Sequence, residues 1–464
     1  MYMRQSLKGL AGTLAAPRVA AAVVLALGFV LCLALNLPGQ LSYDSIAQLH
    51  DGRLGVYNSW HPPIMAWMLG VADSIIPGAG LFVIFDAALL FGSFAALLWL
   101  TPKLSWMAVP VAVLCVVLPQ CLLYQGIVWK DVLFADAAIA GFVCIALAGS
   151  HWRRTVLRNI LLSKAIALLV LAALARQNGA IALVFGIAAI VTLAAVETPP
   201  AARLRAVLFF GAGTSLAAFA LLLAASFALA TRTPGESGPR AQFKLLETYD
   251  IIGAVSMDPG LRLDHIGHAN PDLEQLMRND GVRLYTPQRN DTLAASAELQ
   301  DELSDTPQNV ISAQWSDLIR HHPGLYLSVR ARVFGWTFFT PDISRCAPFF
   351  VGVEGLPRYM RDLGLVERVR PQDLALKSYG GLLAKTPVFS HAAYAILGIG
   401  VLVVLLRRRR PEDLVLAFLL VAAFAFSLSF FIISIACDYR YLLFLDLSAL
   451  TGALHLAASR PKTA

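Results

Sequence analysis

The chain has 464 residues, of which 58% are hydrophobic and only 14% are charged, and its mean hydropathy is +0.66. A soluble fold of this length does not bury so much apolar surface, so the composition excludes an ordinary soluble protein and predicts a polytopic membrane protein. The formal net charge of +7 does not require a nucleic-acid partner, because much of the excess lies in short loops where Lys and Arg set membrane topology.

Ten apolar stretches approach the roughly 20 residues that a helix needs to cross the hydrocarbon layer. We place them near residues 19–37, 81–100, 104–123, 127–148, 160–175, 180–196, 206–230, 388–406, 414–435 and 441–457. No small-residue cleavage site closes the first stretch, so it is interpreted as an uncleaved span rather than a secretory signal. The segment 62–76 is short for a crossing and is followed by Gly-Ala-Gly after Pro77, which favours an interfacial or half-buried helix.

Basic clusters in the short loops alternate along the chain and predict its orientation. They lie before the first span, at Lys103, at Arg153, Arg154 and Arg158, at Arg203 and Arg205, at residues 407–410, and at Arg460 with Lys462. If 62–76 does not cross, all of these loops and both termini can be cytoplasmic. The Ala-rich, Arg-rich composition and the absence of eukaryotic sorting signals indicate a bacterial protein. We therefore expect a protein of the bacterial cytoplasmic (inner) membrane, with membrane lipids around it and a site facing the periplasm.

A polar insertion separates the seventh span from the last three, and its composition shifts to Asp, Glu, Asn, Gln and Pro. It is long enough to form a small domain. The predicted fold is an all-α polytopic membrane protein with about ten transmembrane helices and a mixed extramembrane domain at residues 231–387. This domain stands between an N-terminal bundle, residues 1–230 with a first outer loop at 39–80, and the C-terminal helices, residues 388–464.

Within the insertion, residues 317–336 mix apolar and basic side chains with helical spacing. We interpret them as a helix on the membrane surface, in which Arg320, Arg330 and Arg332 snorkel. The residues that would face lipid are Leu325, Val329, Val333 and Trp336. Contact with a donor headgroup is the alternative.

The cysteines show no metal-ligand spacing. A bridge between Cys346 and Cys437 is conceivable, because both residues could face the oxidising side. The other four lie in or beside spans and are interpreted as small apolar packing residues: Cys32, Cys115, Cys121 and Cys144.

The first outer loop carries three candidate site residues. Asp44 and Gln48 are one helical turn apart, so both can point the same way from a short helix. His61 precedes two prolines, which fix the direction of an imidazole able to relay a proton or bind phosphate or metal. An uncompensated carboxylate at the bilayer edge is costly, which favours function. The alternatives are a capping role for Asp44 or Ser45 and an interfacial histidine bonded to backbone.

The other polar clusters open or close spans on the same face. Lys130 and Asp131 would be costly facing lipid, so they should face a bundle interior or a wet cavity, unless they form a purely structural pair. Arg176 offers paired donors to a phosphate, or it snorkels from a turn. The last span opens with an acid, an arginine and two aromatics, Asp438, Tyr439, Arg440 and Tyr441. Together these side chains suit the binding of a lipid-linked phosphosugar. Alternatively, the tyrosines only anchor the span at the membrane interface. Three further carboxylates are interpreted as packing or supporting groups: Asp86, Asp136 and Asp446.

The order of Asp44 in the first outer loop, Asp131 at the second, a large late outer domain, and Asp438-Tyr439-Arg440-Tyr441 opening the last span resembles the GT-C superfamily. That superfamily contains integral-membrane glycosyltransferases that use polyprenyl-phosphate sugars, including protein mannosyltransferases and the aminoarabinose transferases of lipid A. The resemblance implies that Asp44 is the general base for the acceptor hydroxyl, that Asp131 supports acceptor or donor, and that the anomeric centre is inverted. The chain lacks a clear Asp-X-Asp or Asp-X-Glu pair at the second loop, which leaves the metal ligands unknown and a divalent cation possible.

The residues themselves favour the same chemistry. Transfer of a sugar from a lipid phosphate to a hydroxyl needs a base beside the nucleophile and cations beside the departing phosphate. We predict Asp44 as the base and Lys130, Arg176 and Arg440 as phosphate ligands, with His61 assisting. The partners would be a polyprenyl-phosphate-linked sugar and a glycan, lipid or protein acceptor.

Other functions compete with this prediction. An oligosaccharide polymerase or ligase of surface-glycan assembly also combines many spans, one large outer loop and essential arginines. A secondary transporter or lipid flippase commonly has two related halves and polar groups at mid-membrane, whereas here the polar residues gather at one face. A purely structural membrane protein leaves the intramembrane ions unexplained.

Overall fold

The computed structural model describes residues 2–57, 61–230 and 238–459, and it gives residues 2–15, 230, 238 and 239 as backbone only. The start of the predicted insertion, residues 231–237, and the basic residues Arg460 and Lys462 lie outside the described residues. Within them the regular structure is helical, and the β pairing is limited to isolated bridges.

The N-terminal part of the chain folds into ten helices. They are α1 (Tyr2–Asn36), α2 (Tyr43–Leu54), α3 (Pro63–Ile75), α4 (Gly80–Leu97), α5 (Ala108–Val117), α6 (Pro119–Leu122), α7 (Lys130–Ser150), α8 (Thr155–Ala175), α9 (Ala180–Glu197) and α10 (Pro200–Ala230). Three more close the chain: α20 (His391–Arg408), α21 (Pro411–Ile433) and α22 (Leu443–Ala458), after the nine helices of the insertion. Among the described residues, 9 helices are long and apolar enough to cross a membrane, or 10 if one bent pair counts as a span. The prediction of an all-α integral membrane protein with about ten spans is confirmed.

The bent pair corresponds to the third predicted span, 104–123. Its two parts, Ala108–Val117 and Pro119–Gly126, meet at 67°. The break falls at Leu118, whose φ of −74° and ψ of 141° are extended, because a residue before proline is disfavoured in the helical region. The chain therefore turns within the bundle and reaches the start of α7 through a short 3₁₀ segment, Tyr124–Gly126.

The first outer loop is a helical hairpin. α2 and α3 cross at Gly52 and Gly70, where a Cβ on Gly52 would lie 2.2 Å from the carbonyl oxygen of Ala66, so only glycine permits this approach. α3 exposes an apolar face, with Trp67 44% and Ile75 68% exposed. This exposure agrees with the predicted interfacial helix.

The insertion comprises α11 (Gly238–Met257), α12 (Asp264–Ala269), α13 (Pro271–Leu276), α14 (Val282–Leu284), α15 (Ala297–Asp305), α16 (Gln308–His321), α17 (Pro323–Phe339), α18 (Pro357–Leu363) and α19 (Pro371–Leu383). Its described part contains helices and loops without a strand, which differs from the mixed content that we predicted. The helices up to α17 enclose their own apolar core, including Ile252, Leu299 and Ile311. The later part instead packs on the first outer loop, where Leu41 N donates to Gly352 O at 2.9 Å.

Helix α17 corrects the prediction of a snorkelling surface helix. Arg330 is fully buried and pairs with Asp250 at 2.6 Å, and it also donates to the carbonyl oxygens of Phe431 (2.9 Å) and Ser434 (2.7 Å) at the end of α21. Val329 and Val333 are buried rather than turned to lipid. The buried guanidinium is tolerated because each of its three nitrogens donates to an acceptor, the Asp250 carboxylate or one of the two backbone carbonyl oxygens.

The basic loops and the polar clusters lie at opposite ends of the bundle. The turns after α7, α9 and α20 meet around one cavity that is lined by Arg153 and Arg154. Lys130 begins α7 at the other end, and 21 residues of helix span roughly 30 Å. This geometry agrees with the alternation from which we predicted sidedness.

Candidate active site

Arg440 is the centre of the polar cluster. Its Nη2 lies 3.0 Å from Asp44 Oδ2 and 3.2 Å from Asp438 Oδ2, and its Nε lies 3.8 Å from Asp131 Oδ2. Three carboxylates from α2, α7 and the segment before α22 therefore converge on one guanidinium. The convergence of residues 44, 131 and 440, on which the sequence interpretation depends, is present.

Asp131 is held by a second arginine. Its Oδ1 forms an ion pair with Arg176, and its side chain is only 3% exposed. Arg176 also lies 5.3 Å from the ring centroids of Phe430 and Tyr441. Asp131 is thus a buried carboxylate between two guanidinium groups, and its Oδ2 accepts no hydrogen bond among the described residues.

Asp44 is the most accessible carboxylate of the cluster, with 37% of its side chain exposed. The N-terminus of α2 is closed by other groups, because Ser42 N donates to Ser45 Oγ at 3.2 Å. Ser45 Oγ in turn donates to Val128 O at 2.7 Å. The capping alternative for Ser45 is therefore realised, and Asp44 is left to face Arg440.

The charge state of Asp44 follows from its surroundings. Burial opposes ionisation, but the charge of Arg440 and its hydrogen bond outweigh it and hold the pKa of Asp44 below its ordinary value. Asp44 Oδ1, the oxygen that Arg440 does not bind, points toward His61 Nε2 at 3.9 Å. An ionised oxygen thus remains available for a proton.

His61 is neutral at neutral pH. Burial and the charge of Lys130 lower its pKa to about 4, against the opposing effect of Asp44. Its Nδ1 is buried and has no hydrogen-bond partner among the described residues. His61 can therefore assist by hydrogen bonding but not as a cation, which narrows the phosphate-holding role that we predicted for it.

Lys130 differs from the arginines of the cluster. It interacts electrostatically with Asp131 and Asp44, yet its Nζ makes no hydrogen bond or ion pair within the described part of the chain. Four cationic residues lie among four carboxylates here: Lys130, Arg176, Arg289 and Arg440 with Asp44, Asp131, Asp438 and Asp291. The three arginines are engaged in direct ion pairs, so Lys130 is the cation that can meet an anionic ligand without breaking one.

Two contacts join the segment of Asp438 to the insertion. Arg289 Nη2 lies 3.1 Å from Asp438 Oδ1, and Cys346 and Cys437 form the disulfide that the sequence left conceivable. Burial raises the pKa of Asp438, and the charges of Arg440 and Arg289 offset this only in part. No local pattern around Arg289 signals its role, because the contact joins residues 149 positions apart.

A buried polar network supports the segment that carries Arg440. Tyr439 OH donates to Asp446 Oδ2 at 2.7 Å, and Asp446 Oδ1 lies 2.9 Å from His391 Nδ1. His391 also stacks on Tyr439, with ring centroids 4.0 Å apart. These contacts give Asp446 the supporting position that we predicted. Asp86 and Asp136 are also buried and face each other inside the bundle.

Two aromatic residues contact Arg440, whereas Gln48 does not. Arg440 lies over the Trp129 ring at 4.6 Å and near the Tyr441 ring at 5.8 Å, so both aromatics belong to the cluster, and Trp129 was missed by sequence reasoning. Gln48 is 2% exposed and makes no hydrogen bond to the cluster among the described residues. Among the described residues, no group of three or more His, Cys, Asp or Glu side chains could hold a metal ion.

No family model and no curated protein matches the chain. Among solved structures, the Archaeoglobus fulgidus oligosaccharyltransferase in complex with zinc and sulfate aligns at 13% identity and TM-score 0.44, over 94% of this chain and 48% of that one. The same organism's AglB, in complex with an inhibitory peptide and a dolichol-phosphate, aligns at 15% identity and TM-score 0.44, over 94% and 50%. ArnT from Cupriavidus metallidurans in the apo state aligns at 16% identity and TM-score 0.35, over 94% and 77%.

The chain spans about half the length of the archaeal proteins, at 48% and 50%.

Proposed function

We propose that the chain is a glycosyltransferase that moves a sugar from a polyprenyl-phosphate donor to an acceptor hydroxyl on the periplasmic face of the bacterial inner membrane. The observation that carries this proposal is the Asp44 carboxylate, accessible and ionised, beside the guanidinium of Arg440 and the ammonium of Lys130, which forms no direct ion pair among the described residues. A base and a cationic phosphate site in one group are what the transfer needs.

In the proposed reaction, Asp44 Oδ1 accepts the proton of the acceptor hydroxyl. The hydroxyl oxygen forms a bond to the anomeric carbon from the face opposite the phosphate, which inverts that carbon. The bond between the anomeric carbon and the phosphate oxygen breaks, and its electron pair leaves with the polyprenyl phosphate. Phosphate is a competent leaving group, so no separate general acid is needed.

The cations act on the leaving group. The phosphate gains one negative charge as the bond breaks, and the Lys130 ammonium is bound directly to no carboxylate among the described residues, so it need not break an ion pair to meet this charge. Two unit charges about 4 Å apart near a protein surface interact by roughly 4 kcal/mol, which is about a thousandfold in rate if it is realised only in the transition state. Arg440 is fixed by three carboxylates and needs little reorganisation to assist.

The proposal is tested by mass analysis of surface glycans and lipids in a strain that lacks the protein. One sugar should be missing, and the wild-type gene and Asp362→Asn should restore it. Asp362 pairs with His50 of α2 at 3.2 Å but lies outside the cluster, so it is a matched carboxylate control. Asp44→Asn and Lys130→Gln should fail to restore the sugar at wild-type protein level. An unchanged set of glycans and lipids in the deletion strain, or full restoration by Asp44→Asn, would refute the proposal.

A further inference from the structure

A cavity of about 330 Å³ opens at the end of the bundle opposite the Arg440 cluster. It lies between helix termini, because Ser150 ends α7, Glu197 ends α9 and Pro411 begins α21. All three helices are long and apolar enough to cross the membrane, so the cavity lies at the depth of the lipid headgroups. The ligand that reaches this depth most readily is a phospholipid.

The charges that line the cavity have both signs. Arg153 and Arg154 enter it from the turn after α7, and Glu197 and Glu412 enter it from the ends of α9 and α21. Among the described residues, none of these four side chains forms an ion pair or a hydrogen bond. Charges that do not neutralise one another favour a ligand that carries one group of each sign.

Trp152 gives the cavity a fixed wall. It is buried, 7% exposed, and the guanidinium of Arg158 lies over its ring at 5.1 Å. The backbone of the turn that carries Arg153 and Arg154 is therefore anchored beside the cavity, and both exposed side chains can reach a ligand there.

We propose that this cavity binds the phosphoethanolamine headgroup of a membrane phospholipid. The phosphate lies toward Arg153 and Arg154, whose paired donors match phosphate oxygens. The primary ammonium lies toward Glu197 and Glu412 and donates N–H bonds to them. A headgroup with a quaternary ammonium lacks these donors, and a purely anionic headgroup places its charge beside two carboxylates.

The test uses the delipidated full chain and native mass spectrometry with dioleoyl phosphatidylethanolamine, phosphatidylcholine and phosphatidylglycerol. Retention of phosphatidylethanolamine should exceed that of the other two by about tenfold, the scale of one charge-assisted hydrogen bond. Arg153→Gln with Arg154→Gln should abolish this retention. Glu412→Gln should remove the preference over phosphatidylcholine and raise retention of phosphatidylglycerol, a readout that unfolding would not produce.

The matched control is Arg203→Gln with Arg205→Gln, which removes two exposed arginines of α10 that do not line the cavity. This variant should retain phosphatidylethanolamine like the wild type. Equal loss in both double variants would show only a diffuse basic surface and would overturn the proposal. Equal or stronger retention of phosphatidylglycerol by the wild type would overturn it in favour of an anionic-lipid site.

Discussion

Replacement of Asp44 by Asn separates catalysis from stability at the centre of the cluster. The amide oxygen of Asn can still accept the hydrogen bond that Arg440 Nη2 gives to Asp44 at 3.0 Å, but it cannot take a proton from an acceptor. Loss of a general base lowers rate by about 10²–10⁴-fold, or roughly 3–5 kcal/mol in the barrier. The ion pair itself is 37% exposed at Asp44, so we expect it to contribute only about 1 kcal/mol to folding and the melting temperature to fall by a few degrees at most.

The assay is the initial rate at which label moves from the lipid-linked sugar pool to the envelope product in pulse-labelled cells. Asp362→Asn, which removes a carboxylate paired with the same helix, should transfer at the wild-type rate. A wild-type rate for Asp44→Asn would refute the assignment of the base. So would a loss of rate that is matched by the control, because it would then follow from α2 rather than from the site.

Three further predictions concern topology, pH and folding. The native cysteines are buried or disulfide-bonded and should not react with an impermeant maleimide. In intact spheroplasts, Arg153→Cys should therefore be protected from this reagent and Asp291→Cys should be labelled. Labelling of Arg153→Cys with protection of Asp291→Cys would contradict the topology. The pKa of His61 is about 4, so its imidazole stays neutral at higher pH. The rate of transfer should therefore be constant from pH 7 to about pH 5.5. A rate that rises as the pH falls through about 6.5 would mean that the imidazolium form is required. Arg330→Met should lower the free energy of unfolding by about 3–5 kcal/mol, because it strands a buried carboxylate, whereas Arg332→Met, at an exposed neighbour, should leave the melting temperature in detergent unchanged.

The membrane bundle and the meeting of the polar residues could be predicted from the sequence. Apolar length fixes the spans, and the alternation of basic loops assigns the ends of the spans to two faces. Asp44, Asp131 and Arg440 all lie at span ends on one face, so short connections bring them together. The break at Leu118 was also signalled, because Pro119 follows it.

Contacts set by packing of the insertion could not be predicted. Helical spacing shows which side chains of α17 share a face, but not that Arg330 of this face meets Asp250 and the end of α21. Arg289 has no local pattern at all, because its partner lies in another segment. The neutrality of His61 depends on burial beside Lys130, which follows from the folded site and not from the residues next to it.

Reconstitution tests the transfer itself most directly. The purified chain in proteoliposomes is given the lipid-linked sugar pool of the deletion strain, in which unused donor should accumulate, together with the envelope fraction of that strain as acceptor. We predict that free polyprenyl phosphate appears in step with a new glycosidic bond in the envelope fraction, and that Asp44→Asn abolishes both. Movement of the intact lipid-linked sugar across the bilayer, with no new glycosidic bond, would contradict this account and identify a transporter.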